Sequence, residues 1–288
     1  MIIVQAALSG VLAGGLYAVM AIGLSLTWGL LQVINVAHFG MILLSAYLTY
    51  ALATGIGFDP LLTVGVTIPL LFLIGAALQW GFQRFALSEF NSLLVSFGVL
   101  IVTLQTISNV WTADFRRMPA AINPYGTGSV ALGPLVFPMP TLLAFACAVV
   151  VVVATHLVLT RTFAGRALRA FAQDRPIAAA FGIDHARLSV LLAGGAGSSA
   201  ALAGMLFAVG GSMTPSTALE WVGIVFAVVI LGGIGNVVGT LVAGGLVGMV
   251  AGIVSVLWSP LAAPLVVFSL VALALLFRPR GLFAQAGG

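Results

Sequence analysis

Few side chains in this chain have types and spacing that could do chemistry, and the first of them stand together. Asn35 and His38, flanked by Gly29 and Gly40, interrupt the otherwise apolar stretch GLSLTWGLLQVINVAHFGMILLSAYLTYAL from Gly23 to Leu52. An imidazole can bind a metal or carry a proton, but His38 has no acidic or second metal-ligating partner nearby in sequence, and no buried Ser/His or paired-acid set exists elsewhere. What remains is hydrogen bonding. Inside a membrane span such groups must face protein, a cavity or a permeating solute, so a transport path is the first expectation. The residue types leave two roles open for Asn35 and His38, holding a helix bend or touching the solute. A second cluster, GGIGNVVG from Gly232 to Gly239, places Asn236 beside Gly232 and Gly233, where unwinding would present backbone to a solute. Ordinary close packing of helices is the plainer reading of the glycines four apart at Gly10/Gly14, Gly235/Gly239, Gly244/Gly248 and Gly248/Gly252.

The elements that must position these groups are set by composition. Of 288 residues, 62% are hydrophobic and 6% charged, with a mean hydropathy of +1.25, against roughly 25% charged in soluble domains. Long runs without strand alternation exclude a transmembrane barrel and specify an all-α integral membrane protein. All ten basic residues are Arg. A chain without Lys has no Walker A site, so any ATP is hydrolysed elsewhere. The pI near 10 does not point to nucleic acid, because five Arg lie between Arg161 and Arg187, as the positive-inside rule places them in a cytoplasmic loop. Cys147, alone in an apolar run, reads as a packing residue. No basic residue precedes Arg84, so the first apolar segment is expected to stay rather than act as a cleaved signal.

In chain order, spans are expected at Ala6 to Trp28, Ala37 to Thr54, Leu61 to Phe82, Leu93 to Trp111, Met139 to Leu159 and Leu188 to Val209. Three shorter ones, or two with a re-entrant segment, are expected between Glu220 and Phe277, split near Gly232 to Gly239 and Ser259 to Pro264, giving eight or nine spans. Asp114 to Pro138 is a turn-rich outer loop, and Glu220 begins a span at the outer surface, as a span end or a receptor contact. Charge bias sets the N-terminus outside, and Arg278 and Arg280 set the C-terminus inside.

Within the Arg-rich loop, Pro176 suits a helix start and Gly182 its end, predicting a short helix over Pro176 to Phe181 preceded by the charged shoulder Arg166, Arg169 and Asp174. Topology alone would explain the Arg residues. It would not explain Ile177, Ala179, Ala180 and Phe181 on a water-exposed turn, which read as a side inserted into a partner's groove.

At this point three motifs converge. GLSLTWGLLQVINVAHFGMILLSAYL, GRALRAFAQDRPIAAAFGID and GGIGNVVGTLVAGGLVG, in that order, resemble the signatures of the permease subunit of branched-chain amino-acid ABC importers. Phe39, Gly40 and Met41 after His38 depart from the family's usual Gly followed by an acidic or small residue. The resemblance implies a single permease domain over residues 1–288 in the bacterial inner membrane, with no cofactor of its own. It implies a second homologous permease, two cytoplasmic ATPase subunits binding ATP and Mg, and an external solute-binding protein. It also implies that Asn35, His38, Gly40, Gly232, Gly233 and Asn236 border the substrate path, and that Arg166, Arg169, Asp174, Pro176, Ala179, Ala180 and Gly182 form the ATPase coupling element. A permease for urea, amides or another small polar solute is the alternative. A secondary carrier is disfavoured, because all six acids map to span ends or loops.

Overall fold

The computed structural model describes residues 1–278 and 281–283, so the expectation resting on Arg280 lies outside the described residues. Helix α1 covers Ile2–Leu26 and runs on into a π-helical turn, Thr27–Leu31. It is followed by α2 at Ala37–Ile56, α3 at Val64–Arg84, α4 at Glu89–Trp111 and α5 at Met139–Arg161. Two short helices then cross the Arg-rich segment, α6 at Phe163–Gln173 and α7 at Arg175–Ala180. The chain returns through α8 at His185–Gly210, α9 at Thr217–Gly232, α10 at Val237–Leu257 and α11 at Ala263–Phe277.

Among the described residues, eight helical segments are long and apolar enough to cross a membrane. The 16-residue α9 reaches about 24 Å at 1.5 Å per residue and is a shorter apolar helix, so the full-length spans number eight of the expected eight or nine among the described residues. The expected span ends hold to within a few residues at most boundaries. The first span is longer than expected, because the π turn carries it past Trp28 to Leu31.

Short antiparallel strands pair outside the bundle, where the sequence suggested only turns. β1, Arg116–Arg117, pairs with β4, Ser212–Met213, while β2, Ser129–Leu132, and β3, Leu135–Pro138, form a hairpin. The hairpin turns on Gly133 at φ 62°, a conformation that suits glycine. Because β1 precedes α5 and β4 follows α8, the first pairing clips two distant loops together at the end opposite the Arg-rich segment.

Helices α1, α2 and α8 bury more than half of their apolar windows, whereas α3, α4, α5 and α11 bury under a quarter. The first group is therefore the core, and the second turns apolar faces outward as lipid requires. Small residues make the core possible. Along the antiparallel α1–α10 seam, a Cβ on Gly248 would lie 2.7 Å from the Gly14 main chain, and one on Gly252 would lie 2.6 Å from the Ala6 oxygen. The same close approach brings α8 onto α2, where the Ser45 hydroxyl donates to the Ala201 oxygen at 2.7 Å. In lipid, where apolar burial does not drive helices together, such contacts hold the bundle.

Candidate functional site

The first polar cluster lies at the break between α1 and α2. Gln32 takes a left-handed conformation (φ 58°) that stops the π turn, and residues 32–36 turn back toward the bundle centre. That non-helical stretch is satisfied by α4. The Val36 N–H donates to Ser96 Oγ at 3.1 Å, and the Ser96 hydroxyl lies 3.3 Å from the Ile34 oxygen. Helix α2 therefore begins beside the C-terminal third of α1. His38 is 2% exposed, and its Nε2 lies 2.9 Å from the Met20 oxygen, which assigns the proton to Nε2 because a carbonyl only accepts.

Gly23 makes room for this bond. A Cβ there would lie 2.5 Å from both His38 Cε1 and Ser199 Oγ, so three helices meet at a residue without a side chain. Asn35 is 9% exposed, and its Oδ1 has no hydrogen-bond partner among the described residues. It is a buried acceptor available to a ligand or water. Gly40 instead faces α4, where a Cβ would come within 3.1 Å of Leu100 and 3.3 Å of Thr103, so it sets the α2–α4 spacing.

The second cluster is the break between α9 and α10. Gly233 and Gly235 hold φ of 84° and 82°, which supplies the turn. Asn236 caps α10 by accepting from the Gly239 N–H at 2.9 Å and donates to the Phe283 oxygen at 2.6 Å. The Gly235 N–H donates to Ser25 Oγ at 3.0 Å, and Gly29 abuts Gly235 main chain to main chain. Gly232 packs on the first turn of α10, where a Cβ would meet the Gly239 carbonyl carbon at 2.7 Å. Much of the unwound backbone is thus used inside the protein.

Both clusters rest on one stretch of α1, His38 at Met20–Gly23 and the glycine break at Ser25–Gly29. Phe226 of α9 joins them, stacked on Phe39 at 6.1 Å between ring centroids and edge-on to Trp28 at 5.7 Å. Sequence reasoning missed Ser25, Ser96, Ser199 and Phe226. A lone Ser or Phe in an apolar run carries no signal until its neighbours in space are known.

At the Arg-rich end, Gly29, Gly235 and Asn236 share a cavity of about 700 Å³ with His156, Arg169 and Gln173. Residues expected on the path and residues expected at the coupling surface therefore line one space. The charged shoulder is not a loop. Arg166 and Arg169 lie on α6, whose Gly165, Ala167, Leu168 and Phe171 are buried against the bundle. Thr162 caps this helix by accepting from the Gly165 N–H at 3.1 Å, and Gly165 lies against the Val158–Leu159 main chain of α5.

Asp174 then caps α7, accepting from the Ile177 N–H at 3.0 Å. The short helix spans Arg175–Ala180 rather than Pro176 to Phe181, because Asp174 sets its start and Phe181 already lies beyond its last turn. Pro176 occupies its first turn, and Gly182 ends it at φ 77°. Ala178 is 3% exposed, whereas Ala179 and Ala180 face outward with Ile177 and Phe181. Phe171 stacks on His185 at 3.6 Å between centroids, tying α6 to the start of α8.

Comparison with known proteins places this arrangement. The sequence model of the family described as "branched-chain amino acid transport system / permease component" matches residues 6–277. The chain belongs to this family. It is similar to the high-affinity branched-chain amino acid transport system permease protein BraD of Pseudomonas aeruginosa, 24% identical over 98% of this chain and 95% of the relative. It is likewise similar to LivH of Escherichia coli K12, a permease protein of the same description, at 25% identity over 98% and 95%. No solved structure matches. The stretch common to the permease family runs from within α1 to the end of α11 and includes both breaks, so the two polar clusters and the α6–α7 bracket lie within it.

Proposed function

We propose that this chain is one membrane-spanning subunit of an ABC importer for branched-chain amino acids, and that it acts as a single permease domain in the bacterial inner membrane. A second permease completes the pore, an external binding protein delivers the solute, and two cytoplasmic ATPases hold ATP and Mg. The N-terminus faces outward and the C-terminus faces the cytoplasm, as the Arg asymmetry favours.

The observation that carries the reading is the α6–α7 bracket. A rigid helix is packed through Gly165 onto α5 and continues into a capped turn that exposes Ile177 and Phe181, 57% and 83% accessible. Exposed apolar side chains on a water-facing turn fit insertion into a partner's groove. The cavity shared by Arg169 and Asn236 gives a push on that turn a short route to the α9–α10 break.

Reconstitution tests the assignment. Proteoliposomes holding both permeases and both ATPases, supplied with the binding protein, are expected to accumulate labelled leucine, isoleucine or valine only with ATP. Uptake that proceeds without the ATPases, or accumulation of none of the three, would sink it.

A further inference from the structure

At the end of the bundle opposite the Arg-rich segment, a cavity of about 780 Å³ opens between the β1 loop, the end of α8 and the start of α9. That volume lies in the range of small-molecule sites. Three aromatic rings line it. Phe207 meets Trp221 edge-on at 4.6 Å between centroids, and Phe115, 83% exposed, is the third lining ring. Its polar side is a hydroxyl network in which Thr214 Oγ1 lies 2.9 Å from Ser216 Oγ and 3.0 Å from Thr217 Oγ1.

The cavity contains one carboxylate, Glu220, in the first turn of α9. Among the described residues Glu220 makes no salt bridge, the one pair formed being Arg187 with Asp184 at the other end. A carboxylate, aromatic rings and hydroxyls lining one cavity complement a small molecule that carries an ammonium, a hydrogen-bonding group and an apolar side chain.

We propose that this vestibule is a binding site for a zwitterionic amino acid entering the bundle, with Glu220 receiving the α-ammonium and Phe115, Phe207 and Trp221 enclosing the side chain. The hydroxyls of Thr214 and Ser216 face the carboxylate. Gln in place of Glu220 keeps the shape and removes the charge, whereas Asp keeps the charge on a shorter arm. The inference rests on the branched-chain amino-acid reading.

The test uses the reconstituted importer with permease levels matched and the liganded binding protein saturating. Glu220→Gln is expected to lower leucine uptake about tenfold, the scale of one lost charge-assisted hydrogen bond, and Glu220→Asp to stay within about threefold. ATP hydrolysis stimulated by the binding protein is expected to be unchanged in both. Wild-type uptake by Glu220→Gln would overturn the site. So would a parallel loss of stimulated hydrolysis, which would make Glu220 a docking contact for the binding protein. An importer whose unmodified form moves no amino acid would instead overturn the substrate reading beneath it.

Discussion

His38 Nε2 lies 2.9 Å from the main-chain oxygen of Met20, and this bond fixes the first turn of α2 against the C-terminal third of α1. The His38→Ala substitution removes the bond and empties a side-chain volume at the contact of α1, α2 and α8. A loss of about 1–3 kcal/mol is expected. The measurement is the midpoint of thermal unfolding in detergent, and an unchanged midpoint would show that the bond holds nothing.

The α1–α10 seam makes a sharper claim. Adding a methyl at Gly248 sets a carbon 2.7 Å from the Gly14 main chain, which cannot step aside as a side chain could. Gly248→Ala is expected to cost about 1–3 kcal/mol by overpacking. Gly98→Ala, in α4 with nothing within 4 Å, is the control and should leave stability level or slightly raised. Equal thermal midpoints for the two variants would contradict the seam.

On the exposed turn, neighbouring alanines separate docking from folding. Ala179 faces outward and Ala178 is buried. Ala179→Glu is expected to insert and pair with the second permease while losing ATPase pull-down and uptake, because a desolvated charge at a contact costs a few kcal/mol, about 2–5. Ala178→Glu should lower the amount of folded permease as well. Normal uptake by Ala179→Glu removes α7 from coupling.

Orientation can be read by labelling. In a Cys147→Ala background, a thiol at Gln173 should react from the cytoplasmic side alone, and one at Thr127 from outside alone. Thr127 is the better outer site than Gly126, where a Cβ would come within 2.5 Å of Asn123 Nδ2. The opposite pattern at both positions would invert the topology.

What the sequence made legible was whatever repeats over many residues. Span-length apolar runs placed the long membrane helices, and Asp59–Pro60, the Arg-rich segment and Gly232–Asn236 marked where they stop. Helix α6 was hidden because Arg166 and Arg169 dominate a short window. Its buried face, Ala167, Leu168 and Phe171, becomes visible only once α5 and α8 stand behind it. Gly40 and Asn35 look alike as interruptions of an apolar run, yet one packs against Leu100 and the other keeps an unpartnered oxygen. Glu220 read as a span end or a receptor contact, since nothing in a linear chain reveals that it shares a cavity with Phe115, more than a hundred residues earlier.

The glycine seam between α1 and α10 has a mechanical consequence. Where two backbones touch directly there are few rotamers to freeze, so cohesion along the seam costs little side-chain entropy and offers little to repack. The two helices form one stiff strut. Their joints, left-handed Gln32 at the end of the π turn and the positive-φ glycines 233 and 235 before α10, lie at the same end of that strut. The two breaks in helical geometry therefore sit side by side, held to each other by the Gly29–Gly235 main-chain contact.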